Sequence, residues 1–312
     1  MEFADSETID KSTWAELVKQ IQSLQEHQHQ WVFRALGRWD PKGDPRKVPI
    51  TSSFDTAWKR RVDVASDHPP PAGTRKLYEA WILYEFKREA HNYLAQLPKK
   101  ENFLEWMALG RHYGMPSRLV DFTYSFFVAA YFALSQRDGK DDGCMIALDL
   151  TWMKSDWETR LAKDKSDEAR LGKGTSDSTG LHDSFHNPDV FHKFAFEKAE
   201  TYAVVVNPLR RNPRLANQKG CFLCPGNIEV DADENLAQTL SGKPDAKRLI
   251  RLPAGLRTEA MRALAEMNLS QATLYPDLIG WAESRRDLVY RDIPDDRFRK
   301  ELEIAIGKTP RI

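Results

Sequence analysis

The stretch NFLEWMALGRHYGMPSRLVDFTYSFFVAAYFALSQ, Asn102 to Gln136, decides how the rest of the chain is read. Asn102 and Glu105 stand at the spacing of a helix-capping box, and Phe103, Leu104, Trp106, Met107 and Leu109 supply the apolar positions of the helix that follows. Gly114 accepts the left-handed backbone that ends such a helix, and Pro116 cannot continue it. SRLVDFT then alternates as a strand, with Arg118, Val120 and Phe122 on one face and Leu119, Asp121 and Thr123 on the other. Ser125 is placed to cap a second helix, FFVAAYFALSQ, which is apolar nearly all round and so reads as buried. His112, Arg118, Asp121 and Thr123 thus fall between two buried helices. An unpartnered buried polar group costs roughly 1–3 kcal/mol, so this knot needs internal partners or a ligand.

The same residues carry a resemblance. LEWMALGRHYGMPSRLVDFT followed by VAAYFAL resembles the central signature of the FRG-domain family, in which a helix ending in QHYG leads to a PTRLLDWT strand and an apolar helix. WVFRA, Trp31 to Ala35, is similar to the strand that names the family, with Ala35 where the family has Gly. ATLYPDLIGWAES resembles its closing TLFPDLDGLA motif, with Ile279 in place of an Asp. In order, the three pieces run from Trp31 to about Trp281, most of the chain.

With 312 residues, 41% of them hydrophobic and 11% aromatic, the chain has the material for a sizeable core. Lys plus Arg and Asp plus Glu number 46 each, so overall charge gives no argument for a nucleic-acid or membrane partner. No apolar run reaches the length of a membrane span, and MEFADSETIDKS is acidic rather than signal-like. Cys144, Cys221 and Cys224 read as reduced thiols of a cytoplasmic protein.

In chain order, residues 1–12 read as loose, and Thr13 with Glu16 opens a helix whose Trp14, Leu17, Val18, Ile21 and Leu24 share a face. WVFRAL is a strand in which Arg34 interrupts the apolar run; it is either an edge-strand arginine or a cation aimed into a cleft. The pattern of ITSSFDTAWKRR does not decide its type. Thr74 begins a long helix with Leu77, Trp81, Tyr84, Phe86 and Ala90 near one stripe. CMIALDL is a buried strand, and the charged segment from about 152 to about 182 reads as a surface insertion. Strands at 31–36, 118–123, 144–150, 201–206, 220–224 and 249–252 with helices around them predict an α+β fold. One domain is expected, its core from about 14 to about 290, with N-terminal helices on a small, mainly antiparallel sheet.

Two local patterns carry no chemistry. His182, His186 and His192 are interrupted by Asn187-Pro188, so no zinc site is expected, nor any other metal. Cys221 and Cys224 sit three apart on a strand, where they face opposite ways. The distributed set is more informative: Arg34 on an early strand, Arg118, Asp121, Thr123 and Ser125 at a strand-to-helix junction, and Gln218 before a late strand. This order resembles the ADP-ribosyltransferase superfamily, where a first-strand Arg grips NAD and a late glutamate stabilises the ribosyl cation. The resemblance implies NAD as substrate, Arg34, Asp121, Thr123 and Gln218 as catalytic residues, and Arg34, His112, Arg118 and Ser125 as cofactor contacts. Gln218 stands where that superfamily has the glutamate, which leaves Asp121 as the carboxylate of the motif.

Each of these residues also has a structural reading. Arg118 with Asp121 reads equally as a buried ion pair, Thr123 and Ser125 as caps, and Gln218 as a turn residue. The functional expectation is a cytoplasmic, NAD-type nucleotide-binding effector of a bacterial toxin or antiphage system. It would transfer ADP-ribose to a macromolecular acceptor or hydrolyse the cofactor. The alternative is a non-catalytic nucleotide or partner-protein sensor using the same cleft. A nucleic-acid module built on Arg210, Arg211 and Arg214 is disfavoured by the neutral net charge.

Overall fold

The computed structural model describes residues 8–25, 29–36, 49–64, 71, 73–135, 141–163, 185–285 and 295–307. The fold is α+β, with helices packed on a seven-stranded, mostly antiparallel mixed sheet. In chain order the strands are β1 (Thr8–Ile9), β2 (Trp31–Leu36), β3 (Val120–Thr123), β4 (Gly143–Asp149), β5 (Ala203–Val206), β6 (Gly220–Pro225) and β7 (Lys247–Leu252). They lie side by side as β1-β7-β4-β2-β3-β6-β5, and only the β1–β7 pair is parallel. The strand β1 corrects the reading of residues 8–12 as loose: Thr8 and Ile9 pair with Leu249 and Ile250.

The sheet is continuous but nearly splits in the middle. β2 follows β4 along its whole length, from Trp31↔Asp149 to Leu36↔Cys144, and β3 follows β6 from Val120↔Leu223 to Thr123↔Gly220. Between β2 and β3 the only register pair is Phe33↔Thr123. Beyond it the two halves diverge.

The central stretch folds as its local chemistry dictates. Asn102 accepts a hydrogen bond from the Glu105 backbone N–H at 3.2 Å and caps a helix over Phe103–His112. Gly114, with φ of 89°, supplies the left-handed exit. Ser125 Oγ accepts from Val128 N at 3.3 Å and caps the helix Phe126–Ser135, which is buried at Phe126, Val128, Ala129, Ala130, Tyr131, Ala133 and Leu134. That helix lies with Trp14, Leu17 and Ile21 of helix Trp14–Leu24 and Leu264 of helix Arg257–Glu266 over the β4–β2 half of one sheet face. The Phe103–His112 helix covers the β3–β6–β5 half of the same face, through Leu104, Trp106 and Met107. Leu150 and Met153 of the helix Leu150–Lys163, with Leu236 of the helix Ala232–Thr239, cover the opposite face.

In chain order these and the remaining helices are α1 (Trp14–Leu24), α2 (Ser53–Val64), α3 (Thr74–Glu89), α4 (Phe103–His112), α5 (Phe126–Ser135), α6 (Leu150–Lys163), α7 (Pro188–His192), α8 (Pro213–Asn217), α9 (Ala232–Thr239), α10 (Arg257–Glu266), α11 (Gln271–Leu274), α12 (Leu278–Glu283) and α13 (Asp296–Gly307). The segment expected to be a surface insertion begins inside α6, whose Met153 and Trp157 are buried; residues 164–184 lie outside the described residues, His182 among them. Cys221 and Cys224 do face opposite sides of the sheet, one in each core. Among the described residues no helix is long and apolar enough to cross a membrane.

Helix α3 overturns its expected orientation. Arg75, Glu79 and Leu83 are its buried residues, while Leu77, Trp81 and Tyr84 are exposed. The cause is ionic. Arg75 pairs with buried Asp55 and also reaches Asp231 at 3.1 Å, and Asp55 joins Ser52 in a reciprocal cap of α2, with Ser52 N to Asp55 Oδ2 at 3.0 Å and Asp55 N to Ser52 Oγ at 2.9 Å. Glu79 pairs with Arg118. Hydrophobic periodicity cannot reveal a helix that docks through its charges, because those positions look like a solvated face.

Candidate functional site

Arg118, read either as a buried ion pair with Asp121 or as a ligand contact in the cleft, belongs to the core and pairs with Glu79 instead. Its side chain and that of Glu79 are 1% and 3% exposed. Its Nε donates to Glu79 Oε1 at 2.9 Å, and its Nη1 to the carbonyls of Ala195, Gly226 and Pro225 at 2.8, 3.0 and 3.1 Å. Burial works against the charge, but Glu79 outweighs it and holds the Arg118 pKa above the ordinary arginine value. Thr123 and Ser125 are likewise structural. The Thr123 hydroxyl donates to the Gln218 carbonyl at 2.6 Å and accepts from Ser125 N at 3.0 Å, which ties the β3–α5 junction to the end of α8.

Asp121, His112 and Gln218 line one cavity. A cavity of about 250 Å³ opens on the face that Asp121 shares with its register partner Phe222, between the end of α4 and the short helix α8. Arg111, His112 and Gly114 line it from α4 and its exit, and Asn212, Arg214 and Gln218 from α8 and its two ends. Arg111 Nη2 donates to Asp121 Oδ2 at 2.5 Å. Arg34 approaches the same residue through the sheet, where its Nη1 donates to the Asp121 carbonyl at 2.7 Å. If β2 and β3 stayed in register past Phe33↔Thr123, Ala35 would lie opposite Asp121. The strands part instead, and a guanidinium takes the place of a ladder hydrogen bond.

Positive charge is in excess around the one cavity carboxylate. Desolvation pulls the Arg34 pKa below the ordinary arginine value; Arg111 adds to that, and Asp121 opposes it. Among the described residues Arg34 makes this one hydrogen bond, which leaves most of its five N–H donors without a partner among them. His112 is shifted the same way, first by burial and then by the charge of Arg214, against the opposing carboxylate of Asp277. Among the described residues no three His, Cys, Asp or Glu side chains come together as a metal site. A larger hollow of about 820 Å³ along α1 is bordered by Glu16 and Lys19, which are ordinary exposed side chains.

The closing motif packs against α8 and Gln218, behind the wall they make. Gln218 Nε2 donates to the Leu274 carbonyl at 3.2 Å and Asn217 Nδ2 to that of Thr273 at 2.7 Å. The Arg214 guanidinium lies 4.4 Å from the centre of the Tyr275 ring. Asp277 caps α12 by accepting from Gly280 N at 2.6 Å, and a Cβ on Gly280 would stand 2.2 Å from the Tyr275 carbonyl oxygen. Only glycine fits that approach, so the turn is fixed by packing. Asp121, His112 and Gln218 were legible in the sequence and Arg111 was not, although it adjoins His112; Arg214 stood out only within the disfavoured nucleic-acid patch.

A pH prediction follows from His112. Because its folded-state pKa is lowered from 6.5, the unfolded chain takes up a proton more readily, and stability falls as pH drops below about 6.5. An anion in the cavity favours the protonated ring, so its affinity rises over the same range. Melting curves of wild type and His112→Gln between about pH 7.5 and about 5.5 check both signs. A wild-type slope equal to that of the variant would remove His112 from the account.

No curated protein and no solved structure gives a significant match to the chain. The WVFRA strand and the closing motif lie outside the part of the chain that a family model covers. That model, described as FRG domain, matches residues 46–142, from the segment before α2 through α5, and the chain carries an FRG domain.

Proposed function

We propose that the cavity beside Asp121 binds an NAD-type nucleotide through its phosphates and cleaves the nicotinamide–ribose bond. The observation that carries this reading is the pair of guanidiniums, Arg111 and Arg214, that line the cavity with His112 and the single carboxylate of Asp121, while Arg34 reaches the Asp121 backbone carbonyl from the other side of the sheet. Arginine's fork suits phosphate oxygens, and two arginines beside one carboxylate leave an excess of positive charge that favours an anion. At about 250 Å³ the cavity accommodates part of a dinucleotide, with the rest outside its mouth.

In the reaction, nicotinamide leaves with the electron pair of its bond to ribose. The oxocarbenium-like sugar that develops is stabilised by the Asp121 carboxylate, and an acceptor nucleophile or water then adds and gives up a proton. A phosphate that takes Arg111 as its partner frees Asp121 for that task. The order of Arg34, the β3–α5 junction and Gln218 along the chain supports the likeness to ADP-ribosyltransferases. The wider role implied by resemblance, a cytoplasmic bacterial toxin-like or antiphage effector, belongs to the same proposal.

A nucleotide sensor without turnover is the second reading. It is favoured by the commitment of both polar candidates, Asp121 to Arg111 and the Gln218 amide to Leu274. Incubation with NAD while nicotinamide release is followed separates the two. The enzyme is expected to release nicotinamide, and Asp121→Asn to lose at least about 100-fold of that rate while still binding ADP-ribose. Binding without release in the wild type leaves the sensor, and neither binding nor release rejects both.

A further inference from the structure

Because α3 turns its ionic face inward, a row of apolar side chains is left facing water. Leu77, Trp81 and Tyr84 are 67%, 60% and 59% exposed, with exposed Ala80 between the first two. The spacing i, i+3, i+4, i+7 makes them one stripe, the kind that elsewhere faces a core. Such a stripe on the outside marks a contact surface, and Trp and Tyr are the residues that dominate protein interfaces.

The second uncovered surface is α13, which has no buried residue. Its Phe298, Leu302 and Ile306 are 43%, 38% and 75% exposed and recur every four residues along one side. A helix of 12 residues that buries none of its side chains is only marginally stable in water, so docking would supply what propensity does not. The stripes also match in length, at about 10 Å from Leu77 to Tyr84 and about 12 Å from Phe298 to Ile306.

We propose that α13 of one copy of this chain docks antiparallel along α3 of a second copy, and receives the reciprocal contact in return. Charge sets the direction. With Phe298 beside Tyr84, an antiparallel helix brings Arg297, which pairs with Glu301 at 3.3 Å, to the exposed Glu85–Arg88 pair at 3.1 Å, and sets Asp295, which accepts from Phe298 N, close to Arg88, so that these exposed pairs exchange partners across the contact. A parallel helix with Phe298 beside Leu77 would instead set Arg297 against Lys76. Each copy offers one α3 and one α13, so a two-fold exchange uses both surfaces of both chains.

Sedimentation of the full chain from about 1 to about 100 µM tests this. A dimer is expected, with Trp81→Asp and Leu302→Asp each weakening association at least about tenfold while leaving the circular dichroism unchanged. Tyr84→Asp and Phe298→Asp repeat the test at neighbouring positions if either variant folds poorly. An equimolar mixture of Trp81→Asp and Leu302→Asp should recover heterodimer, because the intact α13 of one meets the intact α3 of the other. A monomer at every concentration overturns the proposal, as does a dimer that survives both substitutions or a mixture that stays monomeric.

Discussion

Arg118→Ala is expected to lower the melting temperature by on the order of 10 °C, with or without any ligand present. The substitution strands Glu79, whose side chain is 3% exposed, as an uncompensated buried charge. It also removes the donor to the Ala195, Pro225 and Gly226 carbonyls. Breaking one partner of such a pair costs about 3–5 kcal/mol. Glu79→Leu combined with Arg118→Met discharges the site, yet the three carbonyls stay unsatisfied, so only part of the loss is expected back. Urea titrations of wild type, both single variants and the double variant measure each contribution. A loss below about 1 kcal/mol for Arg118→Ala would mean that water reaches the pair and that it is not what joins α3 to the sheet.

That result would also mark where the sequence stops being readable. The caps of α1, α4 and α5, the exit at Gly114 and the strand around WVFRA were legible because each depends on residues a few positions apart. Arg118 was recognised as a buried charge, but its partner is 39 residues away in sequence on a helix whose apolar stripe pointed to the wrong face. The same limit hid α2, where the Ser52–Asp55 cap gains its meaning from Arg75 and from Ala232 N at 3.2 Å. Two residues were too short a signal for β1.

At the cavity, Asp121 was singled out by its place in an apolar strand, and His112 by the motif. Arg111 looks like an ordinary cation at a helix C-terminus, favourable there for reasons of the helix dipole alone, and Arg214 like a solvated charge of a turn. Only the meeting of β3 with α4 and α8 shows that they face one carboxylate. Thr123, Ser125 and Arg118 were ambiguous between structure and site, and their hydrogen bonds place them in the framework.

Removing Arg214 should have the opposite signature from removing Arg118. Its guanidinium is partly exposed and rests on Tyr275, so Arg214→Ala is expected to shift the ligand-free melting temperature by no more than about 2–3 °C. What it removes is the phosphate contact. A ligand at 100 times its Kd stabilises the native state by about 2.7 kcal/mol, which for a chain of this size raises the melting temperature by roughly 5 °C. Arg111→Ala loses the same response, and it also releases Asp121 from its ion pair at 2.5 Å. The decisive measurement is therefore the melting temperature of wild type, Arg214→Ala and Arg111→Ala, each with and without saturating ADP-ribose. A rise of several degrees in the wild type that both substitutions abolish is the expected outcome; no rise in the wild type, or an equal rise in all three, would contradict a nucleotide site in this cavity.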